Sequence, residues 1–263
     1  MEEFFLVFRR EKGIFAVIMA SIITRHIPNA VTSCNLLSGC IATAYATQAD
    51  YKTAFLFIIL GAIFDFCDGL AARAFHAYSS IGKELDSLAD DITFGLAPSM
   101  MIYQLLNECA KAQYGENSST LIRLIPYAAF LIAVFSALRL AKFNIDERQT
   151  SSFIGLPTPA NALFWGALCI GKHEAIVNAP WGIWIIIFLI FLFSWLLISE
   201  IPMFSLKIHC LQWKDNKTRY IFLIVSVILI VILGLTGFSA IIGWYIVLSL
   251  LTNRPETESK KTS

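Results

Sequence analysis

Four aspartates stand three and four residues apart in the stretch DFCDGLAARAFHAYSSIGKELDSLAD (65–90), whose flanks are almost wholly apolar. On a helix of about 3.6 residues per turn, Asp65 and Asp68 point the same way, and so do Asp86 and Asp90. Gly69 and Ala72 follow Asp65 at +4 and +7, and Gly82 lies one turn before Asp86. Both acidic faces are therefore nearly bare of bulk, and a ligand can approach the backbone there. A polar turn around Tyr78–Ser80 lets the two faces converge into a bowl of carboxylate oxygens. One aspartate at the centre of a membrane-spanning helix costs roughly 2.5–3.5 kcal/mol, so four unpaired ones would not persist. A divalent cation relieves that cost, and carboxylate ligands suit Mg2+ or Mn2+ better than zinc. Two ions about 3.5–4 Å apart would match four carboxylates in charge. The competing reading is a set of solvated acids in a polar loop, and it is strongest for Asp86 taken alone.

The elements that must hold these acids are membrane helices. Of 263 residues, 57% are hydrophobic and 15% charged, against about 25% charged in a soluble domain; the mean hydropathy is +0.68. Eight apolar runs, near 30–47, 53–75, 87–106, 121–142, 156–171, 181–199, 219–235 and 237–251, approach the ~20 residues that span a bilayer. The expected fold is an all-α polytopic bundle of about eight transmembrane helices, with six to eight fitting the run lengths. It forms one domain over 27–252, with an interfacial N-terminal segment at 1–26 and a disordered polar tail at 253–263. With the N-terminus inside, sixteen lysines and arginines fall on the inner side; only Lys52, Lys111, Arg123 and Lys172 fall outside. That bias predicts a cytoplasmic-membrane protein with both termini and the acid bowl facing the cytoplasm. No internal repeat, Walker motif or dinucleotide motif is present, and no basic patch interleaved with aromatics suggests nucleic acid. The six cysteines (34, 40, 67, 109, 169, 210) lack a CxxC pair and read as small, buried and reduced. The four histidines have no ligand spacing, and His76 reads as a loop residue. Trp165, Trp181, Trp184 and Trp213 read as interface anchors or packing.

The pattern Asp-x2-Asp-Gly-x2-Ala-Arg-x8-Gly-x3-Asp-x3-Asp resembles the signature of the CDP-alcohol phosphotransferases, and Asp65, Asp68, Gly69, Ala72, Arg73, Gly82, Asp86 and Asp90 fill its fixed positions. The resemblance implies that Asp65, Asp68 and Asp86 ligate metal, with Asp90 completing the site and acting as general base on an acceptor hydroxyl. It also implies a homodimer. Physically the base role is the weaker assignment, because a carboxylate beside metals is a poor base unless desolvated. The segments IPNAVTSCNLLSG (27–39), FGLAPS (94–99), ALRLAKFN (137–144) and GLPTPANA (155–162) resemble the membrane-integral phosphatidylserine synthases of that family. By that resemblance the substrates are CDP-diacylglycerol, a membrane lipid, and L-serine, and the products phosphatidylserine and CMP. Met19 lies just ahead of the first of these segments and is an alternative start.

Residues outside the signature remain open on physical grounds. Thr32 and Asn35 could reach a nucleotide or phosphate, or could simply bond between helices. Arg139 and Lys142 could hold the lipid phosphate or the serine carboxylate, or be ordinary inner-side charge. Arg73 could contact phosphate or close the dipole of the second helix. Pro157 and Pro159 suit a helix start. Glycerol 3-phosphate or an inositol phosphate would be rival acceptors, but a second phosphate should demand a denser basic cluster. A carboxylate-lined cation transporter would place its acids along a mid-membrane path, often within inverted repeats.

Overall fold

Apolar runs broken by short polar turns leave the backbone one way to satisfy its hydrogen bonds in lipid, and that is helix. The computed structural model describes residues 26–115, 119–146, 153–203 and 213–252, and each expected run lies on a helical segment. The first, α1 (26–47), leads through a turn into α2 (Tyr51–Ala74), whose N-terminus Asp50 caps by accepting the Thr53 N–H at 3.1 Å. The carboxylate pKa of Asp50 is lowered by its hydrogen bonds to Thr53. His76, at φ +52°, ends the α2 trajectory in the left-handed region. Ser79 then caps α3 (Ser80–Asp90), its hydroxyl accepting the Gly82 N–H at 3.0 Å.

The run expected at 87–106 is not one regular helix. It begins inside α3, passes through a π-helical turn (Asp91–Leu96) and continues as α4 (Ala97–Tyr114). Such turns insert extra backbone into a helix and are frequent at functional sites. The next segment starts as α5 (Thr120–Leu124), tightens through Ile125–Phe130 and runs on as α6 (Leu131–Ile145). A two-residue strand β1 (Phe153–Ile154), antiparallel to β2 (Pro202–Met203), ties the start of α7 (Thr158–Asn178) to the end of α8 (Gly182–Ile198). Pro157 and Pro159 flank the first residue of α7, as expected. The chain closes with α9 (Trp213–Leu233) and α10 (Gly237–Thr252).

The centre of the bundle is α7, packed against α2, α4, α8 and α10. Trp165 is fully buried there, its Nε1 donating to Asn161 Oδ1 at 3.0 Å, while Phe164 stacks on Phe193. At the far end of α2 from its acids, Tyr51 donates to Glu108, which also meets His173. The outer surface is apolar. On α8, Ile183, Ile186 and Ile190 face the core, while Ile185, Phe188, Phe191 and Trp195 are exposed. A helix apolar all round with one face uncovered belongs in lipid, and the protein is membrane-integral.

Three segments, Tyr51–Ala74, Thr120–Ile145 and Asn216–Thr252, are long and apolar enough to cross a membrane, with Gly182–Ile198 a shorter apolar helix. The count of about eight spans therefore rests on the sequence runs. Burial of the cysteines holds for Cys109 and Cys169; Cys34, Cys40 and Cys67 are instead exposed, because each lies on the outward face of its helix. Trp165 is packing, whereas Trp181 and Trp184 are exposed. The expectations for 1–25, Arg148, Cys210 and the tail fall outside the described residues, as does the Trp213 side chain.

Gly39 brings α1 onto the π-helical turn. A Cβ there would lie 2.7 Å from Thr93 Cα and 2.9 Å from its N, main-chain atoms that cannot rotate aside. Gly39→Ala should therefore destabilise the protein by about 1–3 kcal/mol, as overpacking does, and lower its unfolding temperature in detergent. An unchanged midpoint would mean that α1 and the turn are not in close contact.

Candidate active site

Helical spacing, two caps and the left-handed turn at His76 bring the two acid pairs together. Carboxylate oxygens of Asp65, Asp68 and Asp86 lie within 4.8 Å of one another. Asp90, one turn beyond Asp86, is buried beside this trio and within electrostatic reach of all three. The turn of chain between α2 and α3 thus does what the spacing predicts.

Helix α1 supplies the neutral donors. Thr32 Oγ1 lies 2.6 Å from Asp68 Oδ2 and 3.0 Å from the Pro28 carbonyl oxygen. Its single proton can serve one acceptor, and the charged, closer one is the carboxylate. Asn35 Nδ2 donates to Asp90 Oδ1 at 3.1 Å, and the Asn35 carbonyl accepts from Thr93 Oγ1 at 3.0 Å. Thr32 and Asn35 thus bond between helices to the acids, and Thr32 also lines the cavity beside them. Asn35 is fully buried and Asp68 only 6% exposed, so these bonds act where water cannot replace them.

A cavity of about 240 Å3 adjoins the acids, lined by Asp68, Asp86, Arg73, Lys83, Asn29 and Thr32 among others. Ligand pockets commonly run to about 300–1,000 Å3, so this space is of a size for a small polar group. The two signature glycines do different work. A Cβ on Gly82 would lie 2.8 Å from Asn29 Oδ1, so a larger residue there would have to push the Asn29 side chain of α1 aside. At Gly69 a Cβ would meet nothing nearer than the Arg73 guanidinium at 3.7 Å; its missing side chain leaves the cavity open. Ala72 and Arg73 line the same space.

The two basic residues of α6 part company. Arg139 is turned inward, 7% exposed, its guanidinium 5.4 Å from the Phe143 ring centroid and within electrostatic reach of Asp90. Its Nε meets no acceptor among the described residues. Lys142 instead pairs with Glu200 at 3.5 Å. Neither lines the cavity. The cavity also includes Asn29, which shares a helical face with Thr32 and lay outside the expected site, and Lys83, which follows Gly82 and is one of the cations near the acids. Asn29 was legible in that spacing; Lys83 carried only its charge.

The donor set fits a divalent cation. Three carboxylates converge, none of them in a salt bridge among the described residues, and the buried Asp86 Oδ1 has no hydrogen-bond partner there. Burial, and then the charge of Asp68, raise the Asp86 pKa to about 6. All oxygen, no sulfur and no imidazole is the ligand set of a hard ion.

Residues 25–206 match the sequence profile of the CDP-alcohol phosphatidyltransferases, and the chain belongs to that family. The resemblance of the signature and the match over most of the chain therefore agree. Among individual proteins it is similar to the CDP-diacylglycerol–serine O-phosphatidyltransferase of Bacillus subtilis, 37% identical over 138 residues that cover 51% of this chain and 70% of the other. The Helicobacter pylori (strain 26695) protein of the same name is 28% identical over 229 residues, 85% of this chain and 89% of its own. That of Methanocaldococcus jannaschii is 33% identical over 149 residues, 57% and 63%.

Asp65→Asn, Asp68→Asn and Asp86→Asn should each remove most of the thermal stabilisation that Mn2+ gives the purified protein, because each deletes one charged ligand. Stabilisation of any of the three equal to that of the unaltered protein would strike that residue from the set. The pH dependence has a definite sign. A carboxyl with its pKa raised in the fold takes up a proton on folding, so the cation-free protein loses stability as pH rises through about 6. A cation competes with that proton, so stabilisation by Mn2+ should be larger at pH 7.5 than at pH 5.5. Equal shifts at both would remove Asp86 from the site.

Proposed function

We propose that the protein transfers the phosphatidyl group of CDP-diacylglycerol to the hydroxyl of L-serine, forming phosphatidylserine and CMP. The observation that carries this reading is the convergence of Asp65, Asp68 and Asp86 beside a cavity that Arg73 and Lys83 also line, in a chain of this family. The substrates follow from the names of its relatives and from the segments outside the signature. Asp65, Asp68, Asp86 and Asp90 would hold Mg2+ or Mn2+, two ions in the reading that balances their charge. Such ions, when bound, neutralise charge on a diphosphate and polarise its phosphorus.

The chain's own residues account for the rest. Thr32 fixes Asp68 and Asn35 fixes Asp90, so the carboxylates are oriented before substrate arrives. Arg73 and Lys83 offer the nucleotide side of the diphosphate two cations, and the open face at Gly69 and Ala72 admits it to the backbone. The acyl chains stay in the bilayer. Asp90 accepts the proton of the serine hydroxyl as its oxygen bonds to the lipid-side phosphorus; the bond from that phosphorus to the bridging oxygen breaks, and CMP leaves with the electron pair. The inward Arg139, with its unmatched Nε, is the cation available to a serine carboxylate near Asp90. Lys142, engaged with Glu200, is the lesser candidate for either substrate. One acceptor-side cation suffices for a carboxylate and is sparse for a phosphomonoester carrying about −1.5 to −2 charges. Glycerol 3-phosphate and inositol phosphates are therefore disfavoured.

In the bilayer we place eight spans within one domain at 27–252, acting as a homodimer, with both termini and the acids on the cytoplasmic side, where nucleotides are. The lysine and arginine bias supports that orientation. Single cysteines near Lys111 and Lys172, but not at Ser79, should react with an impermeant reagent added outside intact cells. External labelling at Ser79 would put the acids on the wrong side for this reaction.

The acceptor is tested with purified protein, CDP-diacylglycerol and a panel of alcohols. CMP release should depend on L-serine, with D-serine, ethanolamine, inositol and glycerol 3-phosphate poor substitutes. Release as fast with glycerol 3-phosphate would overturn the serine assignment and leave the carboxylate chemistry intact.

A further inference from the structure

We propose that Asn144, the last residue of the ALRLAKFN segment, is a positioning residue that sets the rotation of α3 and thereby aims Asp86 and Asp90 into the site. The inference rests on the acid site proposed above. Three hydrogen bonds carry it, and they close a ring. Lys83 Nζ donates to the Asn144 carbonyl oxygen at 2.9 Å, Asn144 Nδ2 donates to Ser87 Oγ at 2.8 Å, and the Ser87 hydroxyl donates to the Lys83 carbonyl oxygen at 3.3 Å. With the Ser87 proton on the Lys83 carbonyl, the Ser87 oxygen accepts from the amide nitrogen of Asn144. The Ser87 hydroxyl both accepts and donates, so its two bonds strengthen each other.

The ring falls on the one helix of the site that has little else to hold it. α3 has eleven residues, of which only Ala89 and Asp90 are buried, while Ile81 and Leu88 are 72% and 64% exposed. Packing alone cannot specify which way such a helix faces. A polar tie does so where it acts, and this one acts at Ser87, the residue after Asp86 and one turn before Asp90. On the other side Asn144 ends the helix that carries Arg139. The ring therefore fixes the two acids of α3 against α6, while Gly82 lies against the Asn29 side chain of α1. Lys83 also lines the cavity, but neither Ser87 nor Asn144 does, so the Ser87–Asn144 link can be cut without removing a cavity side chain, while the Lys83 bond to the main-chain carbonyl of residue 144 stays in every variant.

The test uses the full-length protein in lipid nanodiscs, with Ser87→Ala, Asn144→Ala, their double variant and Ser87→Thr. The primary readout is the Mn2+ concentration that gives half the maximal thermal stabilisation; the second is kcat against KM for CDP-diacylglycerol. Each alanine variant should need about three- to tenfold more Mn2+, the effect of one hydrogen bond. It should lower kcat with little change in KM. Ser87→Thr, which keeps the hydroxyl, should match the unaltered protein. The double variant should be no worse than either single one, because both cut the same ring. An unchanged Mn2+ requirement in Ser87→Ala would overturn the proposal, even if the unfolding temperature fell, since a merely structural tie moves only the latter. Additive losses in the double variant would overturn it too. Should Asn144→Ala not fold, Ser87→Ala against Ser87→Thr decides alone. Because the Mn2+ readout contains no acceptor, failure of serine-dependent CMP release would refute the proposed reaction and not this inference.

Discussion

Three carboxylates with oxygens within 4.8 Å of one another repel strongly where water is scarce. At an effective dielectric of about 20, each pair of full charges at that distance costs roughly 3–4 kcal/mol, before the loss of solvation is counted. Two such interactions rival much of the net stability of a typical domain. The fold does not relieve this with a side-chain cation in their midst. It supplies neutral donors instead, Thr32 to Asp68 and Asn35 to Asp90. These steady the carboxylates without discharging them. An arrangement that concentrates negative charge in this way is one that a divalent cation could hold together.

That arrangement explains features of the backbone that packing alone would not. Asn35 can reach Asp90 because α1 lies tightly on the π-helical turn, and it can do so because Gly39 presents no side chain to Thr93. The extra backbone of the turn follows directly after Asp90, so the acid-bearing α3 and the apolar α4 need not share one helical register. Aspartates that must face a polar bowl and leucines that must face the core are thereby uncoupled. The trio is preorganised by three helices, yet α3 is anchored mostly by polar contacts.

How much of this was legible in the sequence depends on range. The acid pairs and their glycines are local patterns, read directly from helical periodicity, and the structure brings them together as the spacing predicts. Helix positions were legible for the same reason, since each apolar run lies on a helix. The partners of the acids were only half legible. Thr32 meets Asp68 across 36 residues and Asn35 meets Asp90 across 55. Spacing could nominate both residues without choosing between ligand contact and interhelical bond. Arg139 and Lys142, three apart, invited reading as a pair; Arg139 turns inward, whereas Lys142 reaches Glu200 at a more exposed position. The tie between Lys83 and Asn144 spans 61 residues and leaves no trace in any local pattern. The cysteines misled for a different reason. In lipid an apolar side chain gains little by facing inward, so the rule that buries thiols in soluble cores loses its force.

Asp90 shows how one residue can join two halves of such a site. It hangs from α1 through Asn35, stands on the helix that closes the cavity, and feels Arg139 of α6 on its other side. The acid trio and the cavity lie on the α1–α2 side; Arg139 lies outside that cavity. A diphosphate held by the first group and a small zwitterion held by the second would meet at Asp90, with the hydroxyl proton delivered to a carboxylate already oriented by a neutral amide. A base next to bound cations is weak in water, but Asp90 is only 8% exposed. In the proposed transfer that burial, which looks costly in isolation, is what would suit the Asp90 carboxylate to the base role.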